Sequence, residues 1–248
     1  MLHAFLDLIK PRKTPTGIYA TTRKRNQLPL LHFLHIGKTG GTALKFVLEN
    51  APSDCFQIKL HRHPVRLSDI PAGEKAFFFV REPISRFVSG FYSRKRKGSP
   101  RYASEWSPAE TAAFQRFETP NHLATALSST DPEEKEAARE AMQGIGHVNT
   151  SYWDWFQSEA YFQSRLGDVF FIGCQNCLPA DFETLKRKLR LPEAARLPDD
   201  DLNSHRNPQG LDKRLEPVAL ENLREWYARD FVFFDFCRGN AAAINARF

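Results

Sequence analysis

The chain predicts an α/β fold, a P-loop-like parallel sheet flanked by helices. Three apolar runs carry that expectation. Residues 30–36, 76–80 and 169–172 are short and almost continuously apolar, the pattern of strands buried on both faces rather than one. Each is followed by a glycine- or proline-marked stretch and then a helical one, and strands alternating with helices imply parallel pairing. At 248 residues the chain is long enough for one sizeable core. Residues 10–27, with Pro11, Pro15 and six basic residues, read as an extended segment, so the organisation predicted is a basic arm over 1–29 and a single domain over 30–248.

The first strand runs into His35-Ile36-Gly37-Lys38-Thr39-Gly40-Gly41-Thr42-Ala43, and the apolar-periodic stretch that follows reads as a helix. Residues 55–60 form a second candidate strand. After the strand at 76–80, Pro83 can open a helix, and residues 94–101 read as a loop. Residues 107–127 read as helical after Pro108. Asp131-Pro132-Glu133-Glu134 is a strong helix start, with Gly144 and Gly146 as its stop. Following the strand at 169–172, Asp181 is expected to cap a helix running to Leu189. The final helix, over about 217–228, carries Leu220, Leu223 and Tyr227 on one face.

The loop at 35–43 joins a buried strand to a helix, the place where anions bind. Gly37, Gly40 and Gly41 let the backbone turn tightly and present N–H groups, Lys38 adds a positive charge, and Thr39 and Thr42 add hydroxyls. It is not a Walker A loop, because Lys38-Thr39 precede the glycine pair instead of following it. The plain alternative is a glycine-rich turn with a solvated lysine. The second segment is Arg81-Glu82-Pro83-Ile84-Ser85-Arg86-Phe87-Val88-Ser89, at the end of the strand 76–80. Arg81 would leave the strand end pointing at a ligand, and Ser89 lies two helical turns along; an arginine fork with a hydroxyl suits a phosphate monoester.

In this order, the Lys-Thr-Gly-Gly-Thr loop and the Arg-Glu-Pro-x-x-Arg-x-x-Ser segment resemble the two nucleotide-binding loops of sulfotransferases that use 3′-phosphoadenosine 5′-phosphosulfate (PAPS), in particular the Golgi-type carbohydrate enzymes and their bacterial relatives. The resemblance implies the sulfotransferase architecture. It places the 5′-phosphosulfate on Lys38, Thr39, Gly40, Gly41, Thr42 and Ala43, and the 3′-phosphate on Arg81 and Ser89. Glu82 stands where Asp is more usual. Weaker likenesses extend over the C-terminal half, including a loop around Ser204 that in relatives closes over the nucleotide.

Sulfuryl transfer needs a base for the acceptor hydroxyl and a cation for the departing phosphate. Between the two loops stands Leu60-His61-Arg62-His63-Pro64, similar to the stretch that holds the base of uronyl 2-O-sulfotransferases. That likeness favours His63, with His61 as competitor; Pro64 is unlike the usual pattern. Lys38 is the natural electrostatic catalyst, and no metal is expected. His3, His32, His122, His147 and His205 read as structural or surface residues, and His35 as a packing residue.

Net charge +6 and pI near 9.2 favour anionic ligands such as PAPS or an acidic glycan. Arg94-Lys95-Arg96-Lys97, with Arg101, either lines a ligand groove or is an ordinary solvated loop. No nucleic-acid-binding signature accompanies it. No stretch approaches the roughly 20 apolar residues of a membrane span, and the first ten residues are too short and wrongly flanked for a signal peptide. Four cysteines make no disulfide framework in a chain this long, and Cys174-Gln175-Asn176-Cys177 is best taken as chance spacing, with redox chemistry the alternative. The expectation is therefore a cytoplasmic, bacterial-type enzyme that sulfates a carbohydrate hydroxyl. Its rivals are a P-loop kinase or nucleotide hydrolase and a non-catalytic nucleotide- or polyanion-binding module.

Overall fold

A computed structural model describes residues 28–200, 203, 207–208 and 210–247. Residues 1–27 of the arm expected before the first strand, His3 among them, and the residues Ser204 and His205 lie outside the described residues. The sheet is parallel, with strands β1 (Leu30–Phe33), β2 (Gln57–Leu60), β3 (Lys75–Val80) and β4 (Val169–Cys174) in the order β2-β1-β3-β4. Registers pair Leu31 with Ile58 across β1 and β2, and Phe77 with Phe171 across β3 and β4.

Helices cover both faces, which explains the continuous apolar runs. Phe33, Phe77, Phe79 and Phe171 face α1 (Gly41–Asn50) and a later helix, Leu178–Lys188, meeting Leu44, Val47 and Leu185. On the opposite face Ala76, Phe78, Val80 and Ile172 pack on Phe156, Phe162 and Phe233. The alternation along β3 thus sends aromatic rings into two separate clusters, one on each face of the sheet.

The chain leaves β1 toward β2 on one side and returns to β3 on the other. The loops after β1 and β3 therefore diverge, opening a crevice at the carboxyl ends of the strands, where open parallel sheets bind ligands.

α2 (Pro83–Lys95) begins as expected at Pro83, and Glu82 is its N-cap, its carboxylate accepting from Ser85 N–H at 2.6 Å. Arg94 and Lys95 belong to this helix, not to the loop that the sequence predicted. The helical stretch at 107–127 is two helices, α3 (Pro108–Arg116) and α4 (Pro120–Ala126). Pro120 lacks the N–H that would continue the first, and Thr119 caps the second. α5 (Pro132–Gly144) starts at the predicted Asp131 cap. Short helices α6 (Trp153–Phe156) and α7 (Glu159–Ser164) precede β4. In α8 (Leu178–Lys188) Asp181 lies in the first turn and is not the cap; its carboxylate accepts from Cys174 N–H at 2.6 Å, tying the end of β4 to the helix. α9 (Pro217–Trp226) is followed by α10 (Ala228–Asn245), which the sequence reading did not extend. No helix among the described residues is long and apolar enough to cross a membrane.

One polar node joins α2, α3 and the end of α5. The Glu110 carboxylate accepts from Arg94 at 2.5 and 2.6 Å and from the N–H groups of Ser107 and Gly146, each at 3.0 Å. Burial alone would raise the Glu110 carboxyl, but these four donors outweigh it and hold the group at about 2 instead of 4.5. Glu110→Ala leaves the half-buried Arg94 guanidinium without its carboxylate and the Gly146 N–H without its acceptor, and is expected to cost about 1.5–3 kcal/mol by denaturant unfolding. Because the folded value is depressed, this stabilisation is complete above pH 4.5 and disappears as pH falls toward 2. An acid-unfolding curve that loses this component in the variant checks it.

Candidate active site

The crevice opens into a cavity of about 1320 Å³, lined by the loop after β1, by Arg81 and Ser89 from the β3–α2 segment, and by His63 beyond β2. Sites for one small ligand span roughly 300–1,000 Å³, so this cavity has room for a nucleotide and a second molecule.

At its centre the loop after β1 forms an anion cradle. Lys38 and Gly40 are both in the left-handed region, at φ 68° and 89°, which turns successive backbone N–H groups toward one concavity. Gly40 is the N-cap of α1, and no side chain caps that helix, so its first N–H groups face the cavity. Gly41 admits no side chain, since a Cβ there would overlap the His35 ring. Thr42 and Ala43 line the cavity with these residues. Thr39 departs from expectation. It is fully buried and donates its hydroxyl to the Ile36 carbonyl at 2.9 Å, leaving only its backbone N–H for a ligand.

Two arginines hold the loop in place by taking its carbonyls. Arg81 donates to the Lys38 carbonyl at 3.3 Å and to the Ser85 hydroxyl at 2.8 Å, while Tyr152 accepts from the Arg81 N–H and donates to its carbonyl. Arg86, 2% exposed, donates to the Gly37 carbonyl at 3.0 Å and to both oxygens of Thr150, and lies over the Tyr152 and Trp155 rings. Both tie back carbonyls that would otherwise compete with the loop's N–H groups for the concavity. The sequence had assigned Arg86 no role, although its position in the Arg-Glu-Pro-x-x-Arg pattern was the available signal.

Lys38 projects into this cradle. Burial, and then the nearby Arg96 and Arg81 guanidiniums, lower its ammonium from 10.5 to about 7. No carboxylate is among the charges that shift Lys38, and an ammonium so placed fits an anionic ligand, as do the uncapped N–H groups of α1. Ser89, on the buried face of α2, lines the cavity together with Arg81.

The structure separates the two histidines that the sequence left in competition. The His63 ring nitrogen Nδ1 lies 2.9 Å from the His35 carbonyl oxygen; a carbonyl only accepts, so Nδ1 carries the proton of the neutral ring and Nε2 keeps its lone pair. The His35 ring packs on it at 3.9 Å between centroids, and Trp155 donates to the His63 carbonyl at 2.8 Å, fixing the segment despite Pro64. Burial lowers His63 below its ordinary 6.5, the bond to His35 opposes this, and Lys45, Lys38 and Arg86 add to the lowering. His61 points elsewhere. It is buried, absent from the cavity wall, and bonded to His32 at 2.8 Å, whose other nitrogen meets Glu74 at 2.6 Å.

Of the residues read as structural or surface, His147 is a correction: it lines the cavity beside His63. The basic run is largely bound within the fold, Arg94 to Glu110, Lys97 to Glu105 and Arg96 to Asn207, although Arg94 and Arg101 also reach the cavity wall. Cys55, Cys174, Cys177 and Cys237 are unpaired. Among the described residues no cluster of three or more His, Cys, Asp or Glu could hold a metal ion.

No curated protein matches the chain. Residues 26–237 match the sulfotransferase family, a span that contains the cradle, the Arg81–Ser89 segment, His63 and all four strands. The chain belongs to the sulfotransferase family and is a PAPS-dependent sulfotransferase.

Proposed function

We propose that this enzyme transfers the sulfuryl group of PAPS to a hydroxyl of a carbohydrate, with His63 as general base and Lys38 meeting the charge on the departing phosphate. The observation that carries this reading is that His63, whose Nδ1 bond to the His35 carbonyl leaves Nε2 as the ring's acceptor, lines the same cavity as Lys38. When bound, PAPS supplies the sulfuryl group: the bond from acceptor oxygen to sulfur forms as the bond from sulfur to the bridging phosphate oxygen breaks, leaving the electron pair on the phosphate. His63 takes the hydroxyl proton on Nε2, and its lowered basicity keeps it unprotonated and ready at neutral pH. Lys38 and the first N–H groups of α1 stabilise the phosphate of the leaving group. Arg81 and Ser89 hold the 3′-phosphate.

A carbohydrate acceptor fits the wall beyond His63, where Lys45, Glu49 and Arg62 offer polar and charged groups to a polyhydroxylated molecule. The four unpaired cysteines accord with a reducing compartment, the cytoplasm of a bacterial-type enzyme. The reading requires no metal.

Transfer of radiolabelled sulfur from PAPS to a panel of glycans in the presence of EDTA tests the reaction, and labelling of apolar alcohols or phenols alone would contradict the carbohydrate assignment. Arg81→Ala is expected to weaken binding of the desulfated product PAP by about 1.5–3 kcal/mol, and Ser89→Ala by less. Isothermal titration of both folded variants checks this, and parental affinity in both would remove the 3′-phosphate from these residues.

A further inference from the structure

His147 stands in the left-handed region at φ 66°, a conformation that a residue with a Cβ keeps only where its surroundings over-determine it. They do so on both sides. Glu110 accepts from Gly146 N–H at 3.0 Å, Tyr227 donates to the Val148 carbonyl at 2.8 Å, and Thr150, itself held by Arg86, donates to the His147 carbonyl at 3.3 Å. Two glycines make room for the residue so placed. A Cβ on Gly37 would lie 3.3 Å from His147 Nδ1, and one on Gly90 would lie 3.2 Å from its Cβ.

The outcome of this arrangement is an imidazole set between the two halves of the reaction. Its ring meets the His63 ring edge to face at 5.9 Å, touches the loop at Gly37, and lines the cavity with Lys38. Among the described residues neither ring nitrogen has a hydrogen-bond partner. Burial, with Lys38, His63, Arg86 and Arg94 around it, lowers the ring to about 3, so it offers one N–H as a neutral donor and remains uncharged beside the base.

We infer that His147 is a third catalytic residue, which donates a hydrogen bond from its neutral ring to an oxygen of the sulfuryl group and so holds that group between Lys38 and His63. The inference rests on the sulfotransferase reading of the cavity. His147 neither gains nor loses a proton in the step; it orients the group that moves.

The test compares affinities for PAPS and PAP, measured calorimetrically without acceptor, because only PAPS carries the sulfuryl oxygens. His147→Gly and His147→Asn both tolerate a positive φ, and in Asn the side chain ends short of the far ring nitrogen. Each is expected to bind PAP within about twofold of the parent and PAPS about tenfold more weakly, the size of one hydrogen bond to a charged group. Equal weakening toward both ligands would make His147 a support of the loop, and no change toward either would remove it from the site. In the parent protein labelled with ¹⁵N-histidine, PAPS should shift the His147 ring resonances further than PAP does, a readout that needs no variant; equal shifts would also overturn the inference. A parent that binds neither ligand would instead bring down the sulfotransferase reading on which it rests.

Discussion

His63→Ala is expected to lower the rate of sulfuryl transfer by about 10²–10⁴ while leaving PAP affinity nearly unchanged. The size follows from the role: a positioned base lowers the barrier to removing the hydroxyl proton, and the nucleotide is held by other groups. The direction follows from the geometry, since His63 Nδ1 is bonded to the His35 carbonyl and Nε2 is the nitrogen left for the acceptor. His61→Ala should do much less to the rate, because the His61 ring is bonded into the buried chain through His32 to Glu74. It would lower stability instead, by leaving His32 without one of its two partners. Single-turnover rates and thermal unfolding of both variants separate these effects. Normal turnover in the His63 variant, with loss in the His61 variant, would exchange their roles.

Lys38→Ala is expected to depress turnover by about 10²–10³, more than it weakens PAP binding. The charge on the phosphate is larger in the transition state than in bound PAPS, so an ammonium that meets it contributes more to the rate than to the ground state. The lowered Lys38 value adds a pH signature. With the free ammonium near 7, ligand binding must keep the proton on, and PAP affinity should fall as pH rises above about 7, approaching tenfold per unit. That slope should vanish in Lys38→Ala. A flat profile between pH 7 and 9 in the parent would mean that Lys38 does not take up a proton on binding in this range, and would remove the lowered ammonium from the account.

What the sequence made legible was local. The buried strands announced themselves as continuous apolar runs, and the starts at Pro83 and Asp131 carried their own capping chemistry. The glycine loop and the Arg81–Ser89 segment were readable because each is one short continuous stretch of chain beside one strand. What stayed hidden was made by contacts between distant residues. Arg86 reaches Gly37 across 49 positions and Thr150 across 64, so the local Arg-Glu-Pro-x-x-Arg pattern marks the residue but does not show which carbonyls it takes. His147 reads as a loop histidine until Gly37 and Gly90 are seen to surround it. Thr39 looked like a ligand hydroxyl because its type fits, but the turn aims that hydroxyl at Ile36. α10 escaped notice because Phe231, Phe233, Phe234 and Phe236 crowd both sides of its first half and blur the helical period, and small residues fill its second half.

The central claim is that the cradle, Lys38, Arg81 and Ser89 together bind a nucleotide carrying phosphates at both the 3′ and 5′ positions, without metal. One calorimetric titration with PAP in EDTA tests it most directly, set beside ATP with Mg²⁺. Saturable, one-to-one binding of PAP that is unaffected by EDTA, with ATP far weaker, is the result this account predicts. Binding of ATP that depends on Mg²⁺, with no binding of PAP, would contradict it.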